Sequence, residues 1–230
     1  MEDWKLSPEA AIERQKELQS LTRLTPLKRS IRTIGGADIA YDQSSDIIYA
    51  GIVILDYESM EVLLCCSIQD RMQFPYIPGL LSFREIPAIM QAWNKLPEQP
   101  DVMMMDGHGI AHPRRVGVAT HFGILTDCPT LGCGKTHLLG EYEELEVEKG
   151  STSPLLDQGE TIGHVVRTRA NVKQVWISPG HGMSMEQSVE IALHCAREYR
   201  IPEPTRQADL LVNAIRRGER KLGVEILRER

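Results

Sequence analysis

Asp38 interrupts a run that otherwise reads as an apolar strand, between Ala37 and Ile39. Burying a carboxylate without a partner is costly. Asp38 is therefore either an edge or turn residue or a metal ligand. Asp106 directly follows the apolar run 102–105. Sites in open α/β sheets gather at the carboxyl ends of strands, which makes Asp106 a candidate. Glu85 lies about one to two turns into an expected helix, beside its apolar stripe rather than within it. From there it can reach past the helix edge. Asp209 falls on the flank of a late helix, about 100° round from the apolar Ala208. It serves either the helix dipole or a site. Lys135 sits in Gly132-Cys133-Gly134-Lys135-Thr136. This is no nucleotide phosphate loop, because Pro129 occupies the position of the first required glycine. The lysine remains a candidate for holding a substrate phosphate or steadying a leaving group.

A second kind of chemistry is written in Phe74-Pro75-Tyr76-Ile77-Pro78-Gly79. Each proline fixes its own φ and pushes the preceding residue towards extended backbone. The stretch Pro75 to Pro78 is expected to be a stiff, non-helical tongue carrying one aromatic and one aliphatic side chain. Gly79 then releases the chain into the helix that bears Glu85. One reading is a Pro-rich turn. The other is a wedge, because apolar side chains can open base steps. In Gly107-His108-Gly109-Ile110-Ala111-His112-Pro113-Arg114-Arg115, the two histidines are four apart. Zinc would want them on a helix, which the glycines and Pro113 oppose. The glycines instead let main-chain groups approach a ligand. Arg114 and Arg115 are candidates to meet phosphate.

These residues must be positioned by a fold. The chain has 230 residues, enough for one sizeable α/β domain, expected to span 1–230. Its net charge of −6 argues against a non-specific nucleic-acid coat. It leaves room for local basic patches and bound cations. Five cysteines without a Cys-x-x-Cys pair read as reduced thiols and a cytoplasmic location. No apolar run approaches the length of about 18 residues that a spanning helix needs, so no membrane partner is expected.

In chain order, Ser7-Pro8-Glu9 opens a helix running to about Leu21. Arg23, Lys28, Arg29 and Arg32 form a basic connector. Strands are expected over 34–41, 47–55 and 61–68, joined by short turns as an antiparallel meander. Phe83, Ile86, Ile89, Met90 and Trp93 recur at helical spacing. A short strand over 102–105, a helix over 116–125 and a strand over 129–133 follow. Residues 138–154 read as an acidic surface excursion. Two strands over 161–169 and 174–178 come next. A helix capped by Ser184 and Gln187 follows. A last helix ends at Gly218. The tail is expected to be a solvated helix or a frayed end.

That order resembles the ribonuclease H-like fold, a mixed central sheet flanked by helices. Six motifs narrow the resemblance to the endonuclease V family, the deoxyinosine 3′ endonucleases. They are Gly36-Ala37-Asp38-Ile39-Ala40-Tyr41, the tongue continued through Leu80-Leu81-Ser82-Phe83-Arg84-Glu85, and the run from Asp106 to Arg115. Gly134-Lys135, Ser178-Pro179-Gly180-His181 and Pro202-Glu203-Pro204-Thr205-Arg206-Gln207-Ala208-Asp209 complete the set. The resemblance covers roughly residues 5 to 220, in order. Ala37 stands where the family often has Val, and residues 141–149 are less family-like.

The resemblance implies that Asp38, Glu85 and Asp106 are metal-binding catalytic carboxylates. Asp209 would be the fourth catalytic position and Lys135 the active-site lysine. Tyr76 would be the wedge, supported by Pro75, Ile77, Pro78, Gly79 and Arg84. Gly107, Gly109, His112 and Leu138 would line an inosine pocket. The implied cofactor is Mg2+, for which Mn2+ may substitute. Magnesium is hard and takes carboxylate oxygens. Two such ions can activate water and stabilise a departing 3′ oxygen. The implied substrate is inosine-containing DNA, cut at the second phosphodiester 3′ of the lesion to leave a 3′-hydroxyl and a 5′-phosphate. A monomer is expected. Three rivals stand beside this reading: an endonuclease directed to inosine-containing RNA, a lesion-binding module without catalysis, and a zinc hydrolase using His108 and His112.

Overall fold

The computed structural model describes residues 4–228. Helix α1 (Pro8–Gln19) begins as expected, with Ser7 Oγ accepting the Ala10 N–H and a proline in the first turn. Three antiparallel strands follow: β1 (Thr33–Tyr41), β2 (Ile47–Asp56) and β3 (Val62–Arg71). After the tongue come α2 (Leu81–Trp93), β4 (Val102–Asp106), α3 (Val118–Thr126) and β5 (Thr130–Gly134). Then come β6 (Thr152–Asp157), β7 (Glu160–Val166), β8 (Val175–Pro179), α4 (Met185–Cys195), α5 (Glu203–Arg216) and β9 (Gly223–Ile226).

The nine strands form one sheet in the order β6-β7-β8-β5-β4-β1-β2-β3-β9. At its centre β1, β4 and β5 run parallel, and every other named pairing is antiparallel. This is the mixed, helix-flanked sheet of the ribonuclease H-like class. Side chains alternate between faces along a strand. Ile34, Val102, Met104 and Leu131 therefore pack with Ile191 of α4 and Ala208, Leu211 and Ile215 of α5. Ala37, Met103 and Met105 pack on the other face with Ile86, Ile89 and Trp93 of α2 and Phe122 of α3. By the same alternation, Asp38 and Asp106 lie on the α5 side of the sheet, side by side on adjacent parallel strands where β4 ends.

Two expectations need correction. The tail is not a solvated helix or frayed end: Gly223–Ile226 pairs antiparallel with β3 and forms an edge of the sheet. The half-exposed Val224 and exposed Ile226 show why its pattern is weak, since neither face of β9 is covered well enough to demand alternation. The acidic excursion is also partly structural. Thr152–Asp157 is a strand paired with β7, and Leu145, Leu155, Ile162 and Trp176 close a small core beneath it. The cap of α4 is half as drawn: Ser184 Oγ accepts the Gln187 N–H, but the Gln187 amide bonds both main-chain groups of Leu27. Among the described residues, no helix is long and apolar enough to cross a membrane.

Candidate active site

Helix α5 reaches β1 only because β1 carries glycine at the crossing. A Cβ on Gly36 would stand 1.9 Å from the Pro204 carbonyl oxygen. That approach brings Asp209 towards the end of β1. The ammonium of Lys135, at the end of β5, is the meeting point. Its Nζ lies 2.5 Å from Asp106 Oδ2, 3.5 Å from Asp209 Oδ1 and 3.7 Å from Asp38 Oδ2. Asp209 thus faces the site rather than Arg206, which pairs with Glu203.

Glu85 enters from the opposite face of the sheet, on the second turn of α2. It is buried, and Tyr41 at the end of β1 donates its hydroxyl to Glu85 Oε1 at 2.6 Å. Burial raises the Glu85 carboxyl to about 7, with the Tyr41 hydrogen bond opposing the shift and Asp106 adding to it. Asp38 is pushed further, to about 9, first by burial and then by the charge of Asp106, against the pull of Lys135. Asp106, Asp38 and Asp209 hold Lys135 firmly protonated despite its burial. Burial and the Glu85 charge raise the Tyr41 phenol, so it stays a donor.

Three aspartates therefore crowd one ammonium with Glu85 beside them, and Asp38 and Glu85 are driven towards neutrality. Such a set is short of positive charge and offers only hard oxygen donors, which suits a magnesium-type ion. Among the described residues, no three His, Cys, Asp or Glu side chains are arranged so that they could hold a metal ion as they stand. Lys135 occupies the centre instead.

Beside the acids opens a pocket of about 260 Å³. Tyr76, Ile77, Pro78 and Gly79 of the tongue line one side. Gly107, His108, His112, Gly134, Lys135 and Leu138 line the other. The tongue is non-helical, as its prolines require, and Tyr76 at its tip is 68% exposed. Pro75, Gly109 and Arg84 are placed elsewhere. Gly109 packs behind the pocket, where a Cβ would stand 2.0 Å from the Pro179 carbonyl oxygen, and its N–H is taken by Ser178 Oγ. Arg84 stacks over the Tyr41 ring at 4.7 Å and lies 5.9 Å from the Tyr76 ring.

The two arginines that could have met phosphate are engaged inside the protein. Arg115 bonds Asp157 and Glu160. Arg114 bonds Gln15 and the Gly79 carbonyl. His108 and His112 do not converge on a metal. His112 donates from Nε2 to the Gly79 carbonyl and accepts the Arg114 N–H at Nδ1, while the His108 ring lies against Gly134.

Two contributors escaped the sequence reading. Tyr41 is an ordinary strand-end tyrosine, and only its hydrogen bond shows what it holds. Gln15 left a signal: it lies in line with Ala11 and Leu18 at spacings of four and three, a polar residue on a buried stripe.

Comparison with known proteins bears on this geometry. The family model for endonuclease V matches residues 16–210. The endonuclease V of Gloeobacter violaceus is 41% identical over 227 residues, covering 97% of this chain and 92% of the relative. The crystal structure of the Bacillus subtilis endonuclease V superposes with a TM-score of 0.90 at 31% identity, covering 95% of this chain and 96% of that one. A Ciona intestinalis endonuclease V variant, solved with a 23mer DNA containing an inosine followed by a ribo-adenosine, superposes with a TM-score of 0.83. It is 25% identical, over 94% of this chain and 100% of that one. With acids, lysine, tongue and pocket in one place and a match over most of its length, this chain belongs to the endonuclease V family of nucleases.

Proposed function

We propose that this chain is a magnesium-dependent endonuclease that extracts deoxyinosine from a duplex. It then hydrolyses the second phosphodiester 3′ of the lesion, leaving a 3′-hydroxyl and a 5′-phosphate. The observation that carries the reading is that Lys135 belongs both to the acid cluster and to the wall of the pocket. A base held in the pocket thereby sets where the strand crosses the acids.

Asp38, Glu85 and Asp106 would hold the magnesium, or manganese in its place, with Asp209 beside them. The bound metal would supply an activated water and charge stabilisation for the departing 3′ oxygen. The chain's own residues do the rest. Tyr41 orients the Glu85 carboxylate from behind. Lys135 places a fixed positive charge where the phosphate gains negative charge. Tyr76 and Ile77 fill the gap left in the stack, and a mispaired inosine is the cheaper base to extract.

The pocket reads hypoxanthine by its N1–H donor and O6 acceptor, the reverse of adenine. Adenine would leave pocket groups unpaired, which costs more than a lost contact.

The test uses end-labelled duplexes with and without one deoxyinosine, in magnesium and in chelator, cut by the parent and by Asp106→Asn. A magnesium-dependent nick near the inosine that the variant lacks is the expected result. An inosine-containing RNA run alongside decides between the two nucleic acids. Binding of the inosine duplex without any cut would transfer the reading to a lesion-binding module.

A further inference from the structure

The Gly79 carbonyl at the exit of the tongue accepts three hydrogen bonds. Gln15 Nε2 reaches it at 3.0 Å, Arg114 Nη2 at 2.7 Å and His112 Nε2 at 3.0 Å. A carbonyl has two lone pairs, so this oxygen is fully committed to the protein. Gln15 does more than share it. Its amide also donates to the Val116 carbonyl at 3.0 Å, and its Oε1 accepts Arg114 Nε at 2.5 Å. Gln15 is 1% exposed and sits on α1, an element that supplies none of the acids. One buried side chain thus ties the tongue to Arg114 and to Val116, which lines the pocket. Below it, Ala11 of α1 packs with Phe74, Leu80 and Phe83, which flank the tongue in the chain.

Gly79 is the weak point that such a tie must secure. Its φ of +79° is one that glycine adopts without strain, and the missing side chain lets the backbone pivot there unless it is held. An unsecured tongue would move Tyr76 and the pocket wall together.

We infer that Gln15 is a positioning residue for the wedge and base pocket: it clamps the Gly79 hinge to the far wall, so it governs capture of the extruded base rather than hydrolysis. The inference rests on the proposed function for its substrate but not for its mechanics.

Gln15→Glu is the sharp test. It is nearly isosteric and keeps the acceptor for Arg114, but it removes both amide donors. Two readouts apply. Hydrogen exchange of the free protein, followed in peptides covering residues 74–81, is expected to quicken about tenfold. The Leu80 N–H, bonded to the Ile77 carbonyl, is the reporter, and the β1–β2 ladder should stay protected. On inosine duplexes, KM is expected to rise about tenfold while kcat stays within about threefold. Gln15→Leu, which removes the donors without placing a charge, should behave alike.

Unchanged exchange over residues 74–81 overturns the inference. So does a fall in kcat at constant KM, or quickened exchange across the whole sheet. If the parent itself shows no preference for inosine DNA, the proposed function fails, and the hydrogen-exchange result alone decides the clamp.

Discussion

At the scale of single residues, the candidate site is a problem of charge. Burial first, and then the charge of Asp106, raises the carboxyls of Asp38 and Glu85 beside the Lys135 ammonium. Two neutral donors oppose that rise: the Tyr41 hydroxyl bonds Glu85, and the Ile39 N–H bonds Asp38 Oδ1 at 2.7 Å. Removing a hydroxyl from a buried hydrogen bond leaves its partner short of a donor, at a cost of about 1–3 kcal/mol. Tyr41→Phe keeps the ring on which Arg84 stacks and removes only that donor. We expect inosine-directed cleavage to fall about tenfold, with the thermal midpoint lowered by a few degrees. Single-turnover rates and melting curves on one preparation check it. A rate equal to the parent's would mean that Glu85 does not need its orientation.

At the scale of elements, position depends on close approach. Gly36 admits the start of α5, and a methyl there must displace main chain rather than a flexible side chain. Gly36→Ala is expected to cost about 1–3 kcal/mol, the usual range for overpacking. Cleavage should drop by more than that loss of stability explains, because Asp209 moves with the helix. Urea unfolding read beside nicking rates separates the two effects.

The sequence made much of this layer legible. The apolar runs of β1, β2 and β4, the stripe of α2, and the placing of Asp106 at a strand end follow from burial and period alone. Other features did not follow from them. β9 is covered too little to alternate strictly, and β6 lies in an acidic stretch whose composition hides it. The internal bonding of Arg114 and Arg115 was hidden because their partners, Gln15, Gly79, Asp157 and Glu160, lie 30 or more positions away in the chain. Long-range pairing of that kind leaves no local pattern.

At the scale of the molecule, acid should loosen the pocket side before the sheet. Burial, and then the neighbouring Arg114 charge, lowers His112 from 6.5 to about 4. The folded state therefore binds fewer protons than the unfolded state between those values. The stability that His112 contributes as a neutral ring is fully present above pH 6.5 and is lost as the pH falls towards 4. A shift of that size is on the order of 3 kcal/mol. His112→Gln keeps an amide that can donate to Gly79, so its stability should decline less steeply over that interval. Denaturant midpoints measured from pH 7.5 to 4 give both slopes.

The acids come from β1, α2, β4 and α5, and the lysine follows β5, so the cluster draws on residues 38 to 209 of the chain. A growing chain on the ribosome carries three of the acids long before α5 exists to dock at Gly36. The cluster is thus completed only after residue 209 has been added. A copy cut short before α5 would lack Asp209 and the helix that seats it against β1.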